Sequence, residues 1–331
     1  MEQNLINKHI HWIDVAKGLG IIAVVMSHGM FPFHMMLDGF HMQLFFILAG
    51  YTFSVKTDFS TFMEKKAVRL LIPLWFWSLF LLVDINPGTL WFLHALIPSL
   101  ALFYFVVKYL PKYGIAILAI VLSLLFWGEN SLQGHMNYEI DRVLITQVFL
   151  SVGYLFKCVM QYIESRDYWG KKFLMEGASS NLFLFVGLFA VYMILLLYGN
   201  SKGMFNGLSN GATMISYGNN TMFRLYYPYI AVLCLSGPLA IIFLSRFINS
   251  SRFLELAGKN SLVVMCTHVP ILEFMNVRIA QMPHFDEIVY KCLYAAGEYT
   301  LLLALSVGLC YFCNRFIPTL TGGQKIQRVF I

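Results

Sequence analysis

Apolar stretches close to the length of a membrane span follow one another along the whole chain, with short polar segments between them. A helix needs about 20 apolar residues to cross a hydrocarbon core about 30 Å thick, and a chain in lipid must satisfy its backbone hydrogen bonds internally. Charged residues are only 12% of the sequence, against about 25% in soluble domains. We therefore predict an all-α polytopic membrane protein with about ten transmembrane helices, over residues 12–32, 38–56, 68–84, 90–108, 112–128, 141–161, 181–199, 225–245, 260–280 and 290–315.

The distribution of basic residues orients these spans. With the N-terminus in the cytoplasm, 18 of the 23 Lys and Arg residues fall in cytoplasmic segments, as the positive-inside rule requires. We therefore predict that both termini are cytoplasmic, in a single transmembrane domain over residues 1–331 of a protein of the cytoplasmic membrane. The first span lacks a small-residue cleavage site, so we expect it to be retained. The topology also explains the net charge of +6 without nucleic acid as a partner.

Ionisable residues mark the first span, WIDVAKGLGIIAVVMSH. The step of eleven residues from Lys17 to His28 is about three helical turns, so both side chains lie on one face, about 16 Å apart along the axis. Lys17 would stand at the membrane edge and His28 about halfway through the hydrocarbon core. Asp14 lies one turn before Lys17, near the same face. Because polar groups inside a bilayer usually face a cavity or a partner, we expect the chemistry on this face.

The residue types on this face suit acyl transfer from a phosphate-bearing donor. A histidine in a low-dielectric cavity stays neutral because desolvation disfavours the imidazolium, and a neutral imidazole can remove a proton from a hydroxyl. Lys65, Lys66 and Arg69 cluster at the start of the third span, either as a topological anchor or as a phosphate site. As a phosphate site, Lys17, Lys66 and Arg69 could grip acyl-coenzyme A while its reactive end reaches His28. The alternative is a structural role for His28, which is common for a single histidine in a membrane helix.

Polar residues in other spans are further candidates. His41, near the outer end of the second span, is either a satisfied interfacial histidine or a functional one. Trp91 fits an aromatic belt at the membrane interface, and His268 follows Ser261 by two helical turns on one face of the ninth span. We expect no metal site, because no two histidines stand at ligand spacing with a third ligand in view.

Glu298 lies in a long apolar stretch of the tenth span. A carboxylate inside a membrane span is a functional candidate by default. The alternative is a structural ion pair with a basic residue such as Arg224 or Arg278. The sequence leaves both interpretations open.

Several segments, taken together and in order, resemble the acyltransferase-3 family, in particular its bacterial sugar O-acetyltransferase (fucose 4-O-acetylase-like) branch. The family has a basic residue, ten intervening residues and a histidine in its first span, which correspond here to Lys17 and His28. FHMQLFFILAGY is similar to the family's FHMPLFFFLSGY, with Gln43 and Ala49 in place of the usual proline and serine. Further matches are Lys66-Ala-Val-Arg69, Leu90-Trp-Phe-Leu93 and the segment GKNSLVVMCTH.

The resemblance implies transfer of an acyl group, usually acetyl from acetyl-CoA, to a sugar hydroxyl of a cell-surface glycan or of its lipid-linked precursor. By position, it implies that His28 is the general base and that Lys17, Lys66 and Arg69 bind the phosphates of the donor. Burial arguments add further residues to the substrate-binding set. The predicted sites are catalytic His28, donor-binding Lys17, Lys66 and Arg69, and substrate-binding Asp14, His41, Trp91, His268 and Glu298.

Two other classes of function stay open at this point. One is a transporter or exporter of a glycan or small polar solute that uses the same fold. The other is a receptor-like or assembly component without catalysis. Acetyl-CoA thioesterase activity that depends on His28 would distinguish the enzyme from both.

Overall fold

The computed structural model describes residues 10–29, 31–80, 90–128, 138–166, 177–201, 221–279 and 288–316. Within these segments every regular element is a helix. A π-helical turn, Ala67–Leu71, joins the fourth helix to the fifth. In chain order the α-helices are α1 His11–His28, α2 Met35–Asp38, α3 His41–Tyr51, α4 Phe59–Lys66, α5 Ile72–Phe80, α6 Trp91–Tyr109, α7 Lys112–Gly128, α8 Tyr138–Arg166, α9 Ala178–Ser201, α10 Thr221–Ile248, α11 Arg252–Lys259, α12 Ser261–Ile279 and α13 Ile288–Phe316.

Each predicted span overlaps a helix, so the all-α prediction is confirmed for the described residues. In the second predicted span, 38–56, Asp38 is the last residue of α2, and the continuous helix is α3, whose 11 residues rise about 16 Å. That is about half of the hydrocarbon thickness. The number of crossings and the side of each terminus stay predictions. Within the described segments, the stretches long and apolar enough to cross a bilayer are 91–109, 142–165, 178–201, 231–248 and 288–309.

Helix α1 lies inside the assembly, packed against α3, α10, α11 and α12. Its buried face consists of small and branched apolar residues: Val15, Ala16, Ile21, Val24 and Val25 are each at most 1% exposed. Small side chains let neighbouring helices approach closely. The polar residues of the first span therefore face spaces between helices.

Two glycines bring α11 directly onto α1. A Cβ at Gly18 would collide with the backbone carbonyl of Leu254, and one at Gly258 would collide with the carbonyl of Asp14. Backbones can approach this closely only where the side chain is a hydrogen atom. The docking carries Lys259, the residue after Gly258, to the N-terminal half of α1.

The π-helical turn places Arg69 at the start of the third predicted span. The N–H of Ile72 donates to the carbonyl of Ala67, five residues earlier. Pro73 has no N–H to donate to the carbonyl four residues before it, so a regular α-helical pattern is interrupted here. Single π-turns occur frequently at functional sites.

Candidate active site

In the described chain, three histidines from three helices meet at the C-terminal end of α1. His28 is the last residue of α1, and its ring centroid lies 5.1 Å from that of His268 on α12. The centroid of His41, at the start of α3, lies 6.3 Å from that of His28. Tertiary packing thus brings together histidines that the sequence places in separate spans. No group of three His, Cys, Asp or Glu side chains in the described segments is arranged to hold a metal ion.

Backbone hydrogen bonds orient all three rings in the same way. The Nδ1 atom of His28 lies 2.9 Å from the carbonyl oxygen of Val24, and Nδ1 of His41 lies 2.8 Å from that of Leu37. In His268, Nδ1 lies 2.8 Å from the carbonyl oxygen of Met265. A carbonyl only accepts hydrogen bonds, so Nδ1 carries the hydrogen in each ring, and in the neutral imidazole Nε2 keeps a lone pair.

The three histidines differ in exposure. His41 is 1% and His268 is 2% exposed, and Nε2 of His268 makes no hydrogen bond with any described residue. His28, by contrast, has an exposed side chain. His28 is exposed because α1 ends there and the backbone of Gly29 turns to an extended conformation; its depth in the membrane stays a prediction. The buried environment belongs to the two neighbouring rings.

Two buried carboxylates lie beside the histidine cluster. Glu298 is 2% exposed, and its Oε2 atom would be 2.7 Å from a Cβ placed on Gly29, so the glycine leaves room for the carboxylate. Asp38 is 6% exposed; its Oδ2 atom lies 3.1 Å from Nδ1 of His34, and the carboxylate also interacts electrostatically with His28. The proposed partners of Glu298, Arg224 and Arg278, have side chains outside the described residues.

A small cavity, which we call the histidine cavity, is lined by His28, His268, Trp91 and Met265 among others. Its volume is about 20 Å³, little more than the roughly 10–15 Å³ that one water molecule requires. The guanidinium of Arg142, on α8, lies 4.8 Å from the centroid of the Trp91 ring. Arg142 is 6% exposed, so this cation–π contact is largely desolvated.

A larger cavity, which we call the cationic cavity, has a volume of about 240 Å³. Among the described residues, the basic side chains that line it are Lys17, Lys66, Arg69 and Lys259. Lys66 precedes the third predicted span; burial, together with the charges of Arg69 and Lys17, lowers the pKa of Lys66 from its ordinary value. Both burial and the neighbouring cations disfavour the charged amine of Lys66, and a bound anion would favour it.

Asp14 belongs to the cationic end of α1. Its Oδ1 atom lies 3.4 Å from Nζ of Lys17, and it precedes His28 by fourteen residues, about 21 Å along the helix. The structure therefore places Asp14 with the cations and away from the histidine cluster, whereas His41, Trp91, His268 and Glu298 all lie near His28.

The two cavities share a wall. In the described chain, Phe92, Leu93 and Met265 line both. Along α12, Ser261 faces the cationic cavity, Met265 faces both cavities and His268 faces the histidine cavity, as expected for residues four and three positions apart on one helix face. Apolar residues thus form a common boundary between the cationic cavity and the histidine cavity.

Sequence reasoning missed two residues of this arrangement, Lys259 and Arg142, which it counted only as charges that set the topology. Lys259 lies in the matched segment GKNSLVVMCTH, so its motif could have drawn attention to it. Its Nζ atom lies 3.4 Å from Oε2 of Glu255. Arg142 has no such local signal, because its contact with Trp91 joins helices distant in sequence.

The helices and cavities define a multi-pass membrane protein whose cationic and histidine sites meet across an apolar boundary. A family model described as an acyltransferase domain, Acyl_transf_3, matches residues 10–315. The chain therefore belongs to the acyltransferase-3 family, and the resemblance drawn from its motifs is confirmed at that level. The family supports membrane acyltransferase activity. No curated protein and no solved structure matches the chain.

Proposed function

We propose that this protein is an O-acetyltransferase that moves an acetyl group from acetyl-CoA to a hydroxyl of a sugar, in a bacterial cell-surface glycan or its lipid-linked precursor. The observation that carries the proposal is the common wall of the cationic and histidine cavities. A donor with phosphates at one end and a thin reactive arm at the other fits a cationic cavity that adjoins a histidine cavity. The sugar acceptor follows the similarity of the motifs to the fucose 4-O-acetylase-like branch.

Donor binding is assigned to Lys17, Lys66, Arg69 and Lys259, which line the cationic cavity. Lysine and arginine both bind phosphate groups, and arginine can do so through two parallel hydrogen bonds. The pantetheine arm of acetyl-CoA would then run along the apolar wall toward Met265. The thioester carbonyl would stand next to the histidine cluster.

The chemical step is assigned to Nε2 of His28. This atom removes the proton from the acceptor hydroxyl while the hydroxyl oxygen attacks the thioester carbonyl. The new C–O ester bond forms as the C–S bond breaks, and the leaving thiolate of coenzyme A takes the proton back from the imidazolium. Glu298 packs beside Gly29, the residue after His28, and Nε2 of His268 is available to accept a hydrogen bond from the acceptor.

The decisive experiment measures acetyl-CoA hydrolysis and acetyl transfer by the purified protein in detergent. His28→Ala is compared with His94→Ala, because His94 makes the same kind of bond to a carbonyl four residues earlier, at 3.2 Å, and does not line either cavity. We expect His28→Ala to lose activity, by about 10²–10⁴-fold for a general base, and His94→Ala to keep it. Retained turnover in His28→Ala would overturn the assignment of the base; solute movement into vesicles that survives this substitution would favour a transporter.

A further inference from the structure

We infer that Met265 limits the length of the acyl group that this enzyme can transfer. The inference rests on the proposed function and deepens it, because it concerns which acyl-CoA donors the same site accepts. It follows from the position of Met265 between the cationic cavity and the histidine cavity.

The histidine cavity is too small for a long acyl chain. Its volume of about 20 Å³ is close to the requirement of a single water molecule, whereas the cationic cavity offers about 240 Å³. An acetyl group extends only one methyl group beyond its carbonyl carbon. A butyryl group carries two additional methylene groups, and these need space that the boundary between the cavities does not provide.

The two other residues of that boundary are fixed by their surroundings. The ring of Phe92 packs against Phe46 at 4.8 Å and against Phe45 at 5.8 Å between centroids. Leu93 is 1% exposed and belongs to the hydrophobic core. Changes at these two positions would disturb helix packing as well as the cavity.

Met265 combines a structural backbone with an adaptable side chain. Its carbonyl oxygen lies 2.8 Å from Nδ1 of His268, and a substitution at Met265 leaves this carbonyl in place. Its unbranched thioether has several rotatable bonds and fills irregular gaps. Shortening this side chain therefore enlarges the space between the two cavities while the carbonyl that accepts the hydrogen bond of His268 stays in place.

The test compares purified wild-type protein, Met265→Ala and Met160→Ala for hydrolysis of acetyl-CoA and butyryl-CoA. Met160 lies on α8, is 3% exposed and lines neither cavity, so its truncation controls for loss of buried apolar area. We expect the ratio of kcat/KM for butyryl-CoA to that for acetyl-CoA to rise about tenfold or more in Met265→Ala, the usual effect of methylene-sized differences in a pocket. The ratio in Met160→Ala should equal that of the wild type.

Met265→Val supplies a second variant with a smaller reduction in side-chain length and should give an intermediate ratio. Unchanged ratios in Met265→Ala and Met265→Val, with acetyl-CoA activity present, would overturn the assignment of Met265 and leave the proposed function intact. Absence of hydrolysis of any acyl-CoA by the wild type would overturn the proposed function together with this inference. If Met160→Ala raised the ratio of kcat/KM values as much as Met265→Ala does, the cause would be a general loosening of helix packing. That result would also overturn the assignment of Met265.

Discussion

Replacing Lys66 by methionine tests whether this lysine binds the donor. The matched control is the same replacement at Lys65, the preceding residue of the same helix. Lys66 lines the cationic cavity and is partly buried, whereas Lys65 is exposed and does not line it. Methionine keeps an unbranched apolar stem similar to that of lysine and removes the charge. Because Lys65 and Lys66 lie on the same side of the membrane, Lys65→Met and Lys66→Met change the net charge and the topological bias equally.

The expected magnitude follows from the environment of each amine. Hydrogen bonds to charged groups contribute about 1.5–3 kcal/mol, whereas exposed ion pairs contribute about 0–1 kcal/mol. Lys66 is only partly buried and shares the cavity with other cations, so the lower end of the first range applies. We expect KM for acetyl-CoA to rise about tenfold in Lys66→Met, which corresponds to about 1.4 kcal/mol, and less than about twofold in Lys65→Met.

The assay is the steady-state kinetics of acetyl-CoA hydrolysis at several salt concentrations. Salt screens charge interactions, so KM of the wild type should rise with ionic strength, and KM of Lys66→Met should rise less steeply. The value of kcat should change little in both variants, since neither amine reaches the histidine cavity. Equal increases of KM in Lys65→Met and Lys66→Met would refute a phosphate site at Lys66 and leave only a general effect of net charge.

Three further predictions concern pH, helix packing and the acceptor. Burial lowers the pKa of Lys66, and a bound phosphate favours the charged form of its amine. The affinity for acetyl-CoA should therefore fall as pH rises through this lowered pKa. In a binding titration, Lys66→Arg should keep its affinity to higher pH. Gly18→Ala forces a Cβ against the Leu254 carbonyl and should lower the free energy of unfolding in detergent by about 1–3 kcal/mol, whereas Gly187→Ala, where no atom lies within 4 Å, should not destabilise. Arg142→Met removes the cation above Trp91, which lines the histidine cavity and not the cationic cavity. The substitution should therefore raise KM for the glycan acceptor with KM for acetyl-CoA unchanged; an increase only for acetyl-CoA would contradict this prediction.

Relations within one helix could be predicted from the sequence, and relations between helices could not. The shared face of Lys17 and His28 follows from 3.6 residues per turn, and each residue lines one of the two cavities that share a wall. The place of Lys259 depends instead on how α11 docks onto α1. That docking rests on the close approach at Gly18 and Gly258, which an isolated glycine in an apolar sequence does not reveal.

The end of α3 and the start of α4 show the same distinction between local and distant contacts. The signal for the start of α4 is local: the carboxylate of Asp58 accepts hydrogen bonds from the N–H and the hydroxyl of Thr61, at 3.1 and 2.8 Å, as N-cap residues do. The early end of α3 depends on distant residues. The non-helical carbonyl of Phe53 accepts a hydrogen bond from Nζ of Lys157 on α8, at 2.8 Å, which satisfies a backbone group that would otherwise favour a longer helix.

In the proposed mechanism, access and the cost of a buried charge favour His28 over the other two histidines as the base. His41 and His268 are buried, and because an uncompensated charge in such a place is costly, they suit hydrogen bonding to a neutral substrate. His28 is exposed, so in the proposed mechanism an acceptor hydroxyl can reach its Nε2 atom. The same access would let the leaving thiolate of the proposed step recover the proton, which would return the ring to its starting state for the next turnover.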